Sequence, residues 1–319
     1  MIHSITIVIP VFNEENTLLP LHEALTPVLD GLDCQAQVLF VDDGSTDSSF
    51  SLLSSLQARD ERVRILRLSR NFGKEAAMTA GLDYAVGDAV VVMDADLQDP
   101  IDLIPQLLSK LSEGFDVVYA RRRTRQGDSL QRRLAAWIFY RLLRRASDIE
   151  IPTDVGDFRV MSGKVVEALR ALPERQRYMK GIFAWVGFRQ TSVDFDRPPR
   201  VEGETSWPTL RLISHAVDGI TSFSRTPLRL ATYFGFLVAL AAFCYGTWIV
   251  LKTLLFGDPV AGFPTLITVI LFLGGVQLIS IGILGEYVGR NYLESKQRPQ
   301  YLIDDAIGFD AEKKTSDNY

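Results

Sequence analysis

The chain has 319 residues, a formal net charge of −5 at pH 7, two cysteines (Cys34 and Cys244) and three scattered histidines (His3, His22 and His215). That inventory excludes a disulfide framework, a Cys/His zinc site and a Ser-His-Asp arrangement. The acidity is uneven, because Arg121–Arg145 holds nine arginines against Asp128 alone; no nucleic-acid partner is expected.

In chain order, Ile5–Ile9 (ITIVI) opens with a strand pattern and lacks the length and basic start of a signal peptide. PVFNEEN (Pro10–Asn16) follows it, and Asn13–Leu29 has helical spacing. Val38–Val41 is a second strand, followed by VDDGSTD (Val41–Asp47), where Gly44 permits a tight turn and Ser45, Thr46 or Asp47 can cap a helix over Asp47–Leu56. Val63–Leu68 alternates as a third strand, Lys74–Val86 is helical, and Val117–Ala120 is a fifth strand. Strands alternating with helices predict a doubly wound α/β sheet with parallel pairing.

The fourth strand carries the chemistry. Val90–Pro100 (VVVMDADLQDP) is an apolar run ending in Asp94, Asp96, Gln98 and Asp99. Open α/β sheets bind ligands at the carboxyl ends of their strands. Two close carboxylates repel, and a divalent cation with oxygen ligands relieves the repulsion and can carry a diphosphate. The same residues would also serve as a solvated acidic loop or a helix start. Acidic or amide groups follow strands one, two and four, and no GxGxxG is present, which argues against a dinucleotide oxidoreductase.

Leu130–Arg145 (LQRRLAAWIFYRLLRR) is a basic helix whose Leu134, Trp137, Ile138 and Leu142 fall on one face, suiting either a membrane surface or packing on the sheet. Arg177–Gln190 reads as a lid or as core, and Pro208–Phe223 as an interfacial helix. Leu230–Leu251 and Pro259–Gly285 are uncharged runs of 22 and 27 residues, each long enough to cross about 30 Å of hydrocarbon. Arg225 and Arg229 precede this hairpin, and Arg290, Lys296 and Arg298 follow it, against Lys252 in the connection. The positive-inside rule then puts both flanks in the cytoplasm. The expected organisation is a catalytic domain over 1–207, an interfacial helix over 208–227, two membrane helices within 228–289 (about 230–251 and 263–285), and a tail over 290–319, disordered after Ile303. Gly274, Gly275 and Gly282 would let the hairpin pack against a second copy.

With these residues in hand, the chain resembles the family 2 glycosyltransferases of GT-A fold. IVIPVFNEEN, VDDGSTD, NFGKEAAMTAGLDYAVGD, DADLQDP and GDFRVM stand in that family's order. Within the family it is most similar to the membrane-attached polyprenyl-phosphate glycosyltransferases, the bactoprenol glucosyltransferases and dolichol-phosphate mannose synthases, including LGEYVGRNY (Leu284–Tyr292). The resemblance implies a GT-A (Rossmann-like), mostly parallel sheet with interfacial helices and a transmembrane hairpin. It implies that Pro10, Glu14 and Asp43 line the base and ribose pocket, and that Asp94 lies near the sugar diphosphate. Asp96 and Gln98 would be ligands of Mg2+ or Mn2+, and Asp157 would face the reactive sugar carbon. Arg121, Arg132 and Arg200 would hold the acceptor phosphate, as guanidinium forks do. Two departures stand out: Gly203–Trp207 lacks the lysine of the relatives' G-x-S-K-Y, and the QxxRW of processive synthases is missing.

The activity so implied is inverting transfer of one sugar from a nucleotide diphosphate donor, UDP-glucose favoured, to undecaprenyl or another polyprenyl phosphate at the cytoplasmic face of the inner membrane. Asp157 would act either as base or as an orienting group. The alternatives are another sugar, another lipid such as diacylglycerol, or a non-catalytic nucleotide-sugar-binding membrane subunit.

Overall fold

The computed structural model describes residues 2–123, 155–175, 177–195, 226–256 and 262–309. The element order is β1 (Ser4–Val11), α1 (Leu18–Asp30), β2 (Gln35–Asp42), α2 (Ser49–Gln57), β3 (Val63–Leu68), α3 (Lys74–Tyr84), β4 (Ala89–Val92), α4 (Ile104–Ser112) and β5 (Val117–Arg122). There follow β6 (Val155–Ser162), α5 (Gly163–Arg170), α6 (Met179–Trp185), β7 (Gln190–Phe195), α7 (Thr226–Phe256), α8 (Phe263–Ser295) and β8 (Ile303–Ile307).

All eight strands form one sheet in the order β7-β5-β6-β4-β1-β2-β3-β8. The β3-β2-β1-β4 block is parallel throughout, as the strand–helix alternation requires. Two strands run the other way. β6, which carries GDFRVM, lies antiparallel between β4 and β5, and β8 lies antiparallel on β3. The insertion of β6 places Asp157 beside the carboxyl end of β4.

The alternation of side chains along β1 builds two cores. Ile5, Ile7 and Ile9 face Leu18, Leu21 and Leu25 of α1 and Ile104 and Leu107 of α4. Val8 faces Met78 and Leu82 of α3 on the opposite side, in a cluster with Val165, Leu169 and Phe183. Each fully buried Leu or Ile contributes about 1.5–3 kcal/mol. α3 is lined with Ala77, Ala80 and Gly81 because it lies very close to the sheet; a Cβ on Gly81 would collide with Val8 Cγ1. This close seat brings its first residue, Lys74, over the carboxyl edge.

α7 and α8 are apolar and largely open to their surroundings, with Phe236 69% and Leu278 72% exposed. Among the described residues, these two helices are long and apolar enough to cross a membrane. Both outrun the expected spans. α8 continues through a charged turn in which Arg290 pairs with Glu286, four residues back, at 3.1 Å. The tail also departs from expectation, because Ile303–Ile307 is an edge strand rather than disordered chain. Its short apolar residues Ile303, Ala306 and Ile307 pack on the sheet, which polar composition alone concealed. The basic helix expected over 130–145 and the interfacial helix expected over 208–227 lie outside the described residues.

Candidate active site

The loops after β1 and β2 hold each other. Asn13 sits at φ 54°, and its N–H donates to Ser45 Oγ at 3.0 Å. Its side-chain oxygen accepts the Thr46 N–H at 2.8 Å. The Glu14 N–H donates to Ser49 Oγ at 2.9 Å, and the Ser48 N–H donates to the Glu15 carboxylate at 3.0 Å. PVFNEEN and VDDGSTD are thus two halves of one clasp, turned at Gly44, whose φ is 67°. Pro10 is the penultimate residue of β1, in register with Val41 of β2 where the clasp begins.

Asp43 anchors the next loop. Its two carboxylate oxygens accept the N–H groups of Phe72 at 2.7 Å and Gly73 at 2.9 Å. Burial raises its carboxyl against these bonds. That anchorage sets the start of α3. Glu14, with Thr17 Oγ donating to it at 2.8 Å, is also raised, first by burial and then by the charges of Asp96 and Asp94. The clasp and the acidic loop therefore share one electrostatic site.

At its centre is a three-residue cradle. Lys74 Nζ lies 2.5 Å from Asp94 Oδ1 and 2.5 Å from Asp157 Oδ2. Burial alone would pull the ammonium down, but Asp157 and Asp94 hold it above its ordinary range. The two acids fare differently. Burial would raise Asp157, yet Lys74 and then Lys180 hold it below the usual carboxylate range. For Asp94, burial prevails over Lys74, with Asp157 and Asp96 adding repulsion, and its carboxyl is raised. One ammonium serves both, and Asp157 has Lys180 and Arg159 near it as well.

The acidic loop closes on itself. The Asp94 N–H donates to Asp99 Oδ2 at 3.2 Å, and the Gln98 N–H donates to Asp96 Oδ1 at 3.1 Å. Burial, then the Asp94 charge, pushes the Asp99 carboxyl up to about 7. Gln98 Oε1 is buried and receives no hydrogen bond from the described residues. A neutral amide oxygen left without a donor beside a carboxylate is a donor set for a hard divalent cation, and Mg2+ commonly takes only one or two protein ligands plus phosphate oxygens. No group of three or more His, Cys, Asp or Glu suited to a metal occurs among the described residues. Asp96 and Gln98 fit a cation shared with a bound diphosphate, and a closed protein cage is absent from that part of the chain.

Three further groups surround Asp157 that the motifs did not single out. Arg159, two residues along β6 and so on the same face, is buried with its guanidinium 3.9 Å from the Phe183 ring. It donates to the carbonyls of Asp157 at 3.2 Å and Gly156 at 2.8 Å. Burial pulls it down to about 10. Glu75 accepts the Met179 N–H at 3.1 Å. Burial and then the Asp157 charge push its carboxyl up to about 7. Lys180, on α6, is the third. The signal for Lys74 and Glu75 was present in the sequence: NFGKE begins a helix directly at the functional edge. α6 itself is core through Met179, Ile182 and Phe183, with Trp185 exposed at its end.

Arg121, the penultimate residue of β5, pairs with Asp194 of β7 through Nε at 2.7 Å and Nη2 at 3.1 Å. Arg132 and Arg200 lie outside the described residues, as does Gly203–Trp207. The described site thus unites Pro10, Glu14, Asp43, Asp94, Asp96, Gln98 and Asp157, and adds Lys74.

Known proteins match this chain over most of its length. The profile "Glycosyl transferase family 2" matches residues 6–170, and "GtrB C-terminal hairpin" matches 226–290. The prophage bactoprenol glucosyl transferase homolog of Escherichia coli K12 is 46% identical over 94% of this chain and 98% of its own length. The bactoprenol glucosyl transferase of Shigella phage SfV is 47% identical over 94% of this chain and 97% of its own. An uncharacterised glycosyltransferase of Synechocystis sp. is 48% identical over 96% of both. Among solved structures, mannosyl-3-phosphoglycerate synthase of Rubrobacter xylanophilus aligns at 20% identity and TM-score 0.49, over 69% of this chain and 73% of that one, a likeness too distant to carry function.

Proposed function

Because the chain belongs to glycosyl transferase family 2 and is a glycosyltransferase, we propose that it moves one glucosyl unit from UDP-glucose to undecaprenyl phosphate, or another polyprenyl phosphate, with inversion. The catalytic domain then works at the cytoplasmic face of the inner membrane, with the hairpin spanning it. The lipid acceptor and the sugar come from the named relatives, which match both the catalytic domain and the hairpin. The observation that carries the chemistry is the cradle, in which Lys74 holds Asp94 and Asp157 together at the carboxyl edge of the sheet.

The acceptor is its own nucleophile. A phosphate monoester has its second pKa near 6 and is largely ionised at neutral pH, so its oxygen can attack the anomeric carbon with the nucleoside diphosphate leaving in line. Asp157 is a weak base, since Lys74 and Lys180 hold its carboxyl below the usual range against the effect of burial. It therefore orients, accepting a sugar hydroxyl or steadying cations beside the incoming phosphate. Members of the family commonly use a divalent cation; bound by Asp96 and Gln98, Mg2+ or Mn2+ would neutralise charge on the leaving diphosphate. Pro10, Glu14 and Asp43 frame the nucleoside, and Arg121, Arg132 and Arg200 receive the lipid phosphate.

The test is to incubate the full-length protein in nanodiscs with Mg2+ and radiolabelled UDP-glucose, and either undecaprenyl phosphate or diacylglycerol. Label should enter the organic phase only with the phosphate. Label on diacylglycerol, or on neither lipid, would overturn the acceptor.

A further inference from the structure

The chain returns to the catalytic domain after the second long helix. Glu294, in the last turn of α8, accepts the Arg175 N–H with its two oxygens at 3.0 and 3.2 Å. The Arg175 guanidinium donates to the Arg298 carbonyl, and Gln300 Nε2 donates to the Glu174 carbonyl at 2.6 Å. The Tyr301 hydroxyl donates to Asp83 Oδ2 at 2.8 Å. Phe309 meets the Tyr84 ring edge-on, with centroids 5.7 Å apart. Between these contacts the Ser69 N–H donates to the Leu302 carbonyl at 2.9 Å, and β8 covers the edge of β3, which would otherwise present unpaired backbone groups.

The places touched are the supports of the cradle. Asp83 and Tyr84 end α3, whose first residue is Lys74. A helix of 11 residues is a rod about 16 Å long, so a shift at its far end moves the ammonium. Glu174 and Arg175 precede α6, whose Met179 N–H is held by Glu75 and whose Phe183 supports Arg159 beside Asp157. The exit of α8 thus grips, in one short segment, both elements that flank Asp157.

We propose that Glu294–Phe309 is a positioning element of the active site, through which the seat of the hairpin sets the pose of Lys74 and Asp157, with Glu294 and Tyr301 as its positioning residues. It acts through α3 and α6, without reaching substrate. The inference rests on the glycosyl-transfer reading above for its kinetic readout, and on geometry alone for a second one.

The full-length protein in nanodiscs tests it. The readouts are kcat with UDP-glucose and undecaprenyl phosphate, the dissociation constant for UDP, and hydrogen exchange over 74–84 and 177–185. The double variant Glu294→Ala/Tyr301→Ala should lower kcat at least tenfold, leave UDP binding within twofold, and raise exchange in those two segments but not in α1. Glu294→Gln keeps an acceptor for the Arg175 N–H and should retain more than half of the wild-type kcat. Gly308→Val provides an independent route: Gly308 has φ 85°, and a Cβ there would stand 2.9 Å from Arg64 Cδ and 3.1 Å from the Val63 carbonyl oxygen. It lifts the end of the strand without touching Glu294 or Tyr301, and should give the same split in a folded protein should the double variant not fold. Wild-type kcat in the variants, or loss of UDP binding in proportion to rate, overturns the proposal. Were the wild type to transfer to no lipid, the reaction reading would fall, and unchanged exchange over 74–84 and 177–185 would separately overturn the positioning role.

Discussion

Replacing Lys74 by Met removes the one ammonium that lies 2.5 Å from both Asp94 and Asp157. Two carboxylates, the Asp157 side chain only 10% exposed, would then face each other without the cation between them. Breaking a buried ion pair costs about 3–5 kcal/mol. The Lys74 side chain is 44% exposed, so solvent screening reduces the expected loss to about 1–3 kcal/mol. The substitution also frees the orientation of Asp157 and removes positive charge from the reaction centre, where one preorganised electrostatic contact is worth about 10²–10³ in kcat. Lys74→Met should therefore lower the melting temperature modestly and kcat by about a hundredfold, and Lys74→Arg, which keeps the charge, should recover part of the rate. Initial rates of lipid labelling at saturating donor, read beside thermal melts in nanodiscs, separate the two effects. A Lys74→Met enzyme that turns over at the wild-type rate would refute the electrostatic argument.

Three other outcomes follow from the same geometry. Asp157→Asn should keep substantial turnover if the group orients, and its kcat should remain flat in pH above the phosphate's second pKa; complete loss with a folded protein and normal UDP binding would restore Asp157 as an obligatory base. Asp96→Ala should abolish the cation-dependent rate and weaken UDP binding in Mg2+ but not in EDTA, as titration calorimetry can measure; normal transfer would sink the ligand assignment. Glu75 has its folded carboxyl raised to about 7 from 4.5, so the folded state binds the extra proton and this group's stability, full below pH 4.5, is lost as pH rises through 7. Glu75→Gln should flatten that decline in unfolding measurements across the window, and a steeper decline would contradict the sign.

Much of this was legible because strand and helix periods alternate cleanly up to Val92, and because the acidic groups fall directly behind apolar runs. The β1 to β4 block follows from those signals, whereas the clasp between Asn13 and Ser45–Ser49 joins two loops that the sequence shows only as separate turns. β6 was harder: GDFRVM is short, and its antiparallel insertion depends on which edge of β4 is free, a tertiary matter no local pattern records. Lys74 reads as the start of a helix, because its place beside Asp157 depends on a distant strand that no local pattern records. The tail misled for the converse reason, since Ile303, Ala306 and Ile307 are too few to signal a strand until β3 offers an edge. Arg121 stands where basic character was expected, but its pairing with Asp194 could be seen only once β7 lay beside β5.

The measurement that bears most directly on the account is mass spectrometry of the organic phase after the purified protein has met undecaprenyl phosphate, Mg2+ and a panel of nucleotide sugars. The account predicts one new species, undecaprenyl phosphate carrying a single hexose, formed with UDP-glucose. A ladder of added sugars, or nucleotide binding with no lipid product from any donor, would contradict it.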